Sequence, residues 1–137
     1  HYTSDITRTF VVGKASDEIR KIYDIVKVAK EKTIEAIKAG ISSKELDEIG
    51  RGYIKEQGYG EYFTHGMGHG IGLDIHELPN ISYSYPDVLE AGEIVTIEPG
   101  IYIPGLGGVR IEDDILVTEK GYENLTDFKQ DLIEISN

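Results

Sequence analysis

The sequence predicts an α+β fold in which two helices pack against a sheet. Two segments in the first half of the chain repeat apolar residues every three to four positions, which is typical of half-buried helices. The second half carries short runs of β-branched residues separated by glycine and proline turns, which is typical of strands. A length of 137 residues is enough for one domain with its own core.

The composition describes an acidic globular protein and argues against several functions. Hydrophobic residues make up 39% and charged residues 28% of the chain, which separates it from disordered sequences. The net charge of −11 argues against nucleic acid or an anionic membrane as a partner, and no apolar run reaches the length of a membrane span. Cysteine is absent, so any metal is expected to be held by nitrogen and oxygen. A cytoplasmic location is expected.

Two helices are predicted in the first half of the chain. Ser16 is the predicted N-cap of the first helix, because acidic residues follow it, and the apolar stripe continues until Gly40 provides a stop. Ser42 and Glu45 predict a capping box for the second helix, which ends at Gly58. Both helices carry Lys and Glu on the outer face, so each is expected to pack one stripe against a sheet.

In the sequence, strands are predicted both before and after these two helices. Alternating β-branched residues predict a strand over residues 5–12, with Asp5 and Thr7 on one of its faces. Further strands are predicted at residues 94–97 with a continuation at 101–103, at residues 109–117 and at residues 122–125. Residues 78–92 are predicted to form a loop, and the C-terminus a polar end.

Residues 64–77 form the most unusual stretch of the chain, with the sequence THGMGHGIGLDIHE. They hold three of the four histidines and four of the sixteen glycines, so the two residue types are concentrated together. Glycine lets the backbone approach a metal or a substrate closely. The stretch therefore predicts a site built into the backbone, and a glycine-rich loop that carries chance histidines is the alternative.

Three acidic residues occupy positions at which the strand pattern favours burial. Glu98 follows an apolar strand, Glu112 lies within another, and Asp5 leads a face of threonines. Buried carboxylates need a paired charge or a metal; the alternative places each acid at a solvent-facing strand edge. Together with His69 they suit a hard or borderline divalent ion. Two such ions roughly 3.5–4 Å apart would activate water, which points to metal-assisted hydrolysis.

Four motifs occur in the order found in one enzyme family. They are SDITRT at residues 4–9, GHGIG followed by HE at residues 68–77, TIEPGIY at residues 96–102 and GVRIED at residues 108–113. With these motifs the sequence resembles the pita-bread metallopeptidases, which include Xaa-Pro dipeptidase (prolidase), aminopeptidase P and methionine aminopeptidase. The resemblance implies the pita-bread (creatinase/aminopeptidase) fold, with a curved antiparallel sheet and two packed helices.

The resemblance implies a two-metal site. Asp5 and Glu112 would each bridge two divalent ions, and His69 would bind one ion alone. Glu98 would bind the same ion as His69 and would serve as general base and then general acid. The ions would be Mn, Co or Zn.

The resemblance also implies residues that contact the substrate. His65 and His76 would flank the scissile peptide and stabilise the oxyanion that forms there. Arg110 and Tyr102 would be supporting residues near the substrate and the attacking water. The substrate would be a short peptide with proline after the scissile bond, because Arg110 and the short spacing from Glu98 to Glu112 resemble the proline-specific branch.

The match implies further that residues 1–137 are the C-terminal part of a peptidase catalytic domain, so that the fold is incomplete. The family's first metal-ligating aspartate lies upstream of the position of Asp5. We therefore expect the second metal to bind weakly and these residues alone to be poorly active. An unpaired sheet edge is also expected to favour a homodimer or a larger assembly.

Three other readings belong to the same fold. Methionine aminopeptidase is the nearest alternative enzyme. A non-catalytic pita-bread binding module is the alternative of another class, but such relatives usually lose metal ligands. The creatine-hydrolysing branch uses the fold without metal, and the four surviving ligand positions argue against it.

Overall fold

The computed structural model describes residues 1–136 and contains two helices and three small groups of strands. The helices are α1 (Asp17–Glu35) and α2 (Ser43–Glu56), followed by a short 3-10 helix at Gly60–Tyr62. The strands are β1 (Phe10–Val12), β2 (Gly68–Gly70), β3 (Glu77–Ile81), β4 (Ile94–Ile97), β5 (Gly100–Ile103), β6 (Gly107–Arg110), β7 (Asp113–Val117), β8 (Tyr122–Asn124) and β9 (Ile133–Ile135). The predicted α+β class is confirmed.

The largest sheet has the strand order β3-β2-β4-β7-β8, and every neighbouring pair in it is antiparallel. β5 and β6 form a separate antiparallel hairpin. β1 and β9 form a third pair, which is parallel and joins the two ends of the chain. The prediction of an antiparallel sheet therefore holds for the largest sheet, and the parallel pair is an addition to it.

Both helices begin where their capping residues predict. The Ser16 side chain accepts a hydrogen bond from the Ile19 N–H, and the Ser42 side chain accepts one from the Glu45 N–H. The apolar stripes of α1 and α2 share one core with the largest sheet. This core includes Val26, Leu46, Ile97 and Ile115. Full burial of such a side chain stabilises the fold by about 1.5–3 kcal/mol, so the amphipathic pattern accounts for the helix positions. Among the described residues, no helix is both long and apolar enough to cross a membrane.

Two predicted strands are each divided in the structure. Residues 101–103 do not continue the strand at 94–97, because the chain leaves the largest sheet at Glu98-Pro99 and enters the β5–β6 hairpin. Residues 109–117 form β6 and β7 rather than one strand. Proline has no N–H to donate to a ladder, and the N–H of Glu112 bonds to the Thr7 carbonyl instead. The two predicted glutamates therefore lie at strand breaks.

The remaining strand predictions also need correction. Of residues 5–12 only β1 is a strand, and upstream of it Thr7 makes a single bridge to Glu112. The predicted loop at residues 78–92 contains most of β3, and the predicted polar end contains β9. β3 and β9 are short and partly polar, so their pairing depends on partners that are remote in sequence rather than on local pattern.

Candidate metal centre

The four predicted ligands come from four separate segments, and three of them lie at or beside a short strand. His69 is the middle residue of β2, Glu98 follows β4, Glu112 precedes β7, and Asp5 lies upstream of β1. The close approach of β2 to β4 requires glycine, since a Cβ on Gly68 would lie 1.8 Å from the Thr96 carbonyl oxygen. The glycines of this stretch therefore bring the histidine-bearing strand against the strand that leads to Glu98.

Three of these residues form a compact group. One ligand atom from each of Asp5, His69 and Glu112 lies within 4.8 Å of the other two. Glu98 joins the group through His69, whose Nε2 atom is 3.2 Å from Glu98 Oε1 and 3.9 Å from Asp5 Oδ2. The structure thus brings all four predicted ligand residues to one place, although 107 positions separate Asp5 from Glu112 in the chain.

Glu112 is a buried carboxylate, and one of its two oxygens has no hydrogen-bond partner among the described residues. Its residue surface is 2% exposed, and the oxygen concerned is Oε1. Burial raises the pKa of Glu112 to about 7; the hydrogen bond donated by Thr7 opposes this, and the charges of Glu98 and Asp5 add to it. A nearby positive charge would stabilise the ionised form of this buried carboxylate.

His69 presents its Nε2 atom to the carboxylates of Glu98 and Asp5. Its Nδ1 atom lies 3.0 Å from the carbonyl oxygen of Gly70, which can only accept, so the ring proton belongs at Nδ1 and Nε2 faces Glu98 and Asp5. Burial lowers the pKa of His69, but the hydrogen bonds to Glu98 and Gly70 outweigh it, and the net pKa is raised. A positive charge at Nε2 is therefore favoured in this structure.

Glu98 shows the opposite shift. Burial raises its pKa, but the hydrogen bond and charge of His69, together with His65 and Arg110, leave the pKa of Glu98 below its ordinary value. Glu98 is thus ionised at neutral pH. Its Oε1 atom also accepts a long 3.4 Å hydrogen bond from Thr96, which in turn accepts the backbone N–H of His69.

These residues fit a divalent cation. The donor set is one imidazole nitrogen and several carboxylate oxygens, which is the chemistry preferred by Mn, Co, Zn and related ions. The Oε1 atom of Glu112 has no hydrogen-bond partner among the described residues, and the Nε2 atom of His69 faces the carboxylates of Glu98 and Asp5. A cation would take the place of the proton that His69 and Glu98 share in its absence.

The four residues predicted to contact the substrate are placed around this group. Tyr102 Oη lies 2.7 Å from His65 Nε2, and the exposed ring of His76 packs against the ring of His69 at 4.4 Å, centroid to centroid, with the two planes inclined by 52°. Arg110 Nε is 3.9 Å from Glu98 Oε2, and the same guanidinium donates to Thr7 Oγ1. The structure therefore brings these residues together with the candidate ligands.

The sequence interpretation missed several residues that hold the site. Thr96 links β2 to Glu98, and Thr7 donates to Glu112. Arg51 of α2 forms a bidentate ion pair with Asp47 and donates to the carbonyl oxygen of His65 at 2.7 Å. The threonines could have been found from their alternation with the acids, whereas Arg51 follows Asp47 at the ordinary i,i+4 spacing of a surface pair.

Comparison with known proteins identifies the family to which this sequence is similar. The sequence model described as metallopeptidase family M24 matches residues 1–119. The Xaa-Pro dipeptidase of Pyrococcus furiosus is 56% identical over 133 residues, which are 97% of this chain and 38% of that protein. The chain therefore spans well under half the length of this relative.

Solved structures give a similar result. The Xaa-Pro dipeptidase from Bacillus anthracis superposes with a TM-score of 0.96 at 54% identity, covering 98% of this chain and 38% of that one. The X-Pro aminopeptidase from Thermotoga maritima superposes with a TM-score of 0.95 at 42% identity, again over 98% and 38%.

Proposed function

Because the chain belongs to metallopeptidase family M24, we propose that the protein hydrolyses Xaa-Pro peptide bonds with the help of divalent metal ions. Its architecture is that of part of a pita-bread fold, with the two helices and the antiparallel sheet of the solved prolidases. The proposed substrate is a short peptide with proline after the scissile bond, as in the relatives named Xaa-Pro dipeptidase.

The cluster of Asp5, His69, Glu98 and Glu112 is the observation that carries this proposal. It combines an imidazole whose Nε2 atom faces two carboxylates with a buried carboxylate oxygen that has no hydrogen-bond partner among the described residues, and a purely structural cluster would gain nothing from leaving that oxygen unpartnered. All four residues would hold metal, with Asp5 and Glu112 as bridges. Divalent ions there would supply Lewis-acid activation of water and of the scissile carbonyl.

Glu98 is the proposed proton carrier. Its lowered pKa leaves it ionised, so it can accept a proton from the attacking water and later deliver that proton to the leaving amine. Arg110, beside Glu98 Oε2, holds this carboxylate in the charged state.

The residues around the cluster are proposed to bind and orient the peptide. Nδ1 of His65 faces the Gly66 carbonyl, so Nε2 accepts the hydrogen of Tyr102 and fixes that hydroxyl beside the site. The exposed His76 can donate to the substrate from the other side of His69. Both histidines would flank the scissile peptide, and a hydrogen bond donated by His76 would stabilise the negative charge that develops on the scissile carbonyl oxygen.

Two enzyme types are candidates for the activity of this protein. Dipeptidase is preferred, because these Xaa-Pro dipeptidases are 54–56% identical to the chain over the aligned residues. X-Pro aminopeptidase is the second candidate, supported by the 0.95 TM-score of the Thermotoga maritima structure. The surviving ligand set supports either enzyme over a non-catalytic binding module.

The proposal extends to the whole protein. Since the chain covers 38% of the named relatives, we propose that residues 1–137 are the C-terminal part of a peptidase catalytic domain and that an upstream acid completes the second metal site. Mn, Co and Zn remain the proposed ions, and a cytoplasmic location stays a prediction.

The test is an assay of the full-length protein with Mn²⁺ or Co²⁺. We expect hydrolysis of Xaa-Pro dipeptides, little hydrolysis of the matched Xaa-Ala dipeptides, and loss of at least about a hundredfold in kcat for Glu98→Gln. Faster cleavage of tripeptides with proline at the second position would favour the aminopeptidase. Equal rates on Xaa-Pro and Xaa-Ala, or no metal requirement, would contradict the proposal. Residues 1–137 alone are predicted to be weakly active, and robust turnover by them would disprove that part.

A further inference from the structure

A buried charge cluster lies directly behind the candidate metal centre. Asp113 follows Glu112 in the chain, and because side chains alternate along an extended segment it points to the opposite side. There it pairs with Lys30 of α1 and, at 2.7 Å, with Arg8. The side chains of Lys30 and Asp113 are fully buried and that of Arg8 is 5% exposed.

Arg8 joins the two segments that carry the proposed bridging carboxylates. Its Nη1 atom donates to the carbonyl oxygen of Thr7 at 2.9 Å and to that of Glu112 at 2.6 Å. The same two segments are also bonded to each other directly: Thr7 Oγ1 donates to the carboxylate of Glu112, and the N–H of Glu112 donates to the Thr7 carbonyl. Arg8 therefore holds the backbone on both sides of the single bridge between these segments.

The C-terminal segment closes the cluster from behind. Arg8 also donates to the carbonyl oxygens of Phe128 and Lys129, and Asn124 and Gln130 donate to Asp113. These contacts lie beyond residue 119, where the match to the family model ends. The segment thus supports the metal centre although it contains none of the proposed ligands.

Stability alone is a weak reason for this cluster. Replacing a buried ion pair by apolar side chains of similar volume is often neutral or stabilising, because desolvation offsets much of the charge attraction. What an apolar replacement would not reproduce is the fork of Arg8, which binds four backbone carbonyls and a carboxylate in one fixed geometry.

We propose that Arg8, held by Asp113, with which Lys30 also pairs, is a positioning residue that sets the separation of Asp5 and Glu112 and thereby the affinity for the metal ions that these two carboxylates would hold. The inference rests on the proposed function for the role of these two carboxylates. Arg8 acts through Thr7 and Glu112 and does not itself contact metal or substrate.

The experiment compares Arg8→Lys with Arg20→Lys in the full-length protein. Arg20 also pairs with the C-terminal segment, through Glu134, but within residues 1–136 no hydrogen bond or ion pair joins its side chain to the two carboxylate-bearing segments. Both variants keep the positive charge, so the comparison isolates the fork at residue 8. Mn²⁺ affinity is measured by calorimetric titration of metal-free protein, and the unfolding midpoint is measured without metal.

For Arg8→Lys we expect a loss of about tenfold or more in Mn²⁺ affinity, the range seen when groups that orient metal ligands are removed. Arg20→Lys is expected to bind Mn²⁺ like the wild type. A folded Arg8→Lys variant whose affinity stays within about twofold of wild type would overturn the inference.

A milder variant covers the case in which Arg8→Lys does not fold. Asn124→Ala removes one hydrogen bond to Asp113 and is expected to weaken Mn²⁺ binding while leaving the unfolding midpoint close to that of Arg20→Lys. Unchanged affinity would overturn the inference here too. Normal wild-type Mn²⁺ binding without Xaa-Pro hydrolysis would contradict the proposed function and leave the positioning role supported by the titrations. A wild type that binds no divalent ion would overturn both.

Discussion

At the scale of single residues, the site is a set of charges that do not balance without a cation. Glu112 is buried beside Glu98 and Asp5, and its pKa is raised to about 7 by that burial and their charges. In the unfolded chain the same group has its ordinary pKa of 4.5. Burial of Glu112 therefore lowers the free energy of unfolding of the metal-free protein at neutral pH. The destabilisation arises because a metal ligand is buried without its metal.

This imbalance predicts the stability of Glu112→Gln. Because the folded pKa of Glu112 lies above the unfolded one, wild-type stability falls as pH rises from about 4.5 to about 7, by up to about 3 kcal/mol at 1.36 kcal/mol per pKa unit. The metal-free variant is expected to unfold at higher urea than wild type at pH 8 and at similar urea near pH 4.5.

The control is Glu90→Gln, a change at an exposed acid, which is expected to alter stability little at either pH. Glu112→Gln is also expected to lose divalent-ion binding. A metal-free variant less stable than wild type at pH 8 would disprove the charge argument.

At the scale of elements, short strands and their breaks place the ligands. β2 has only three residues, yet it carries His69 between two glycines that let neighbouring backbone approach. The breaks after β4 and before β7 place Glu98 and Glu112 outside regular ladders, where their side chains can turn toward His69. Regular strands would have alternated these side chains strictly between two faces.

The element scale predicts that Gly68→Ala is severely destabilising. The added Cβ would meet the backbone of Thr96 at 1.8 Å, and a ladder strand has no flexible side chain there to move away. We expect a loss of about 3 kcal/mol, the upper part of the usual range for overpacking, together with weaker metal binding through displacement of His69.

Gly52→Ala is the matched control for this substitution. Gly52 lies inside α2, and its added Cβ meets nothing within 4 Å, so the variant should gain up to about 1 kcal/mol in helix propensity. Urea unfolding measures both variants. A Gly68→Ala protein as stable as wild type would mean that β2 and β4 can separate without cost.

At the scale of the whole molecule, surface charge and exposed apolar side chains act against each other. The net charge of −11 makes copies of the chain repel one another. Large apolar side chains are nevertheless exposed: Leu73, within the histidine-bearing stretch, is 76% exposed, and Leu78, directly after it, is 73% exposed. Solvent-exposed apolar surface favours association when the repulsion is screened.

We therefore predict salt-dependent self-association of residues 1–137. At low salt the repulsion should keep the protein monomeric. Near 1 M salt, where the screening length is about 3 Å, dimers or larger species should form. Leu73→Ser should reduce this association. Light scattering at both salt concentrations provides the measurement, and a monodisperse monomer under both conditions would disprove the prediction.

The sequence by itself determined the two helices, the order of the motifs and the identities of the four clustered ligand candidates. Helix caps and i,i+4 stripes are local signals, and Ser16 and Ser42 act where those signals place them. The cluster behind the site also left a local trace. Lys30 lies four residues from both Val26 and Ile34 on the buried stripe of α1, and Asp113 alternates with the buried Ile111 and Ile115.

Only the tertiary structure decided which remote groups meet. Contacts across 80 or more positions decide three features: the strand break at Glu112, the parallel pairing of β1 with β9, and the meeting of Lys30, Asp113 and Arg8. Local spacing cannot encode them, because the free energy of burying a charge is set by the partner that folding brings to it.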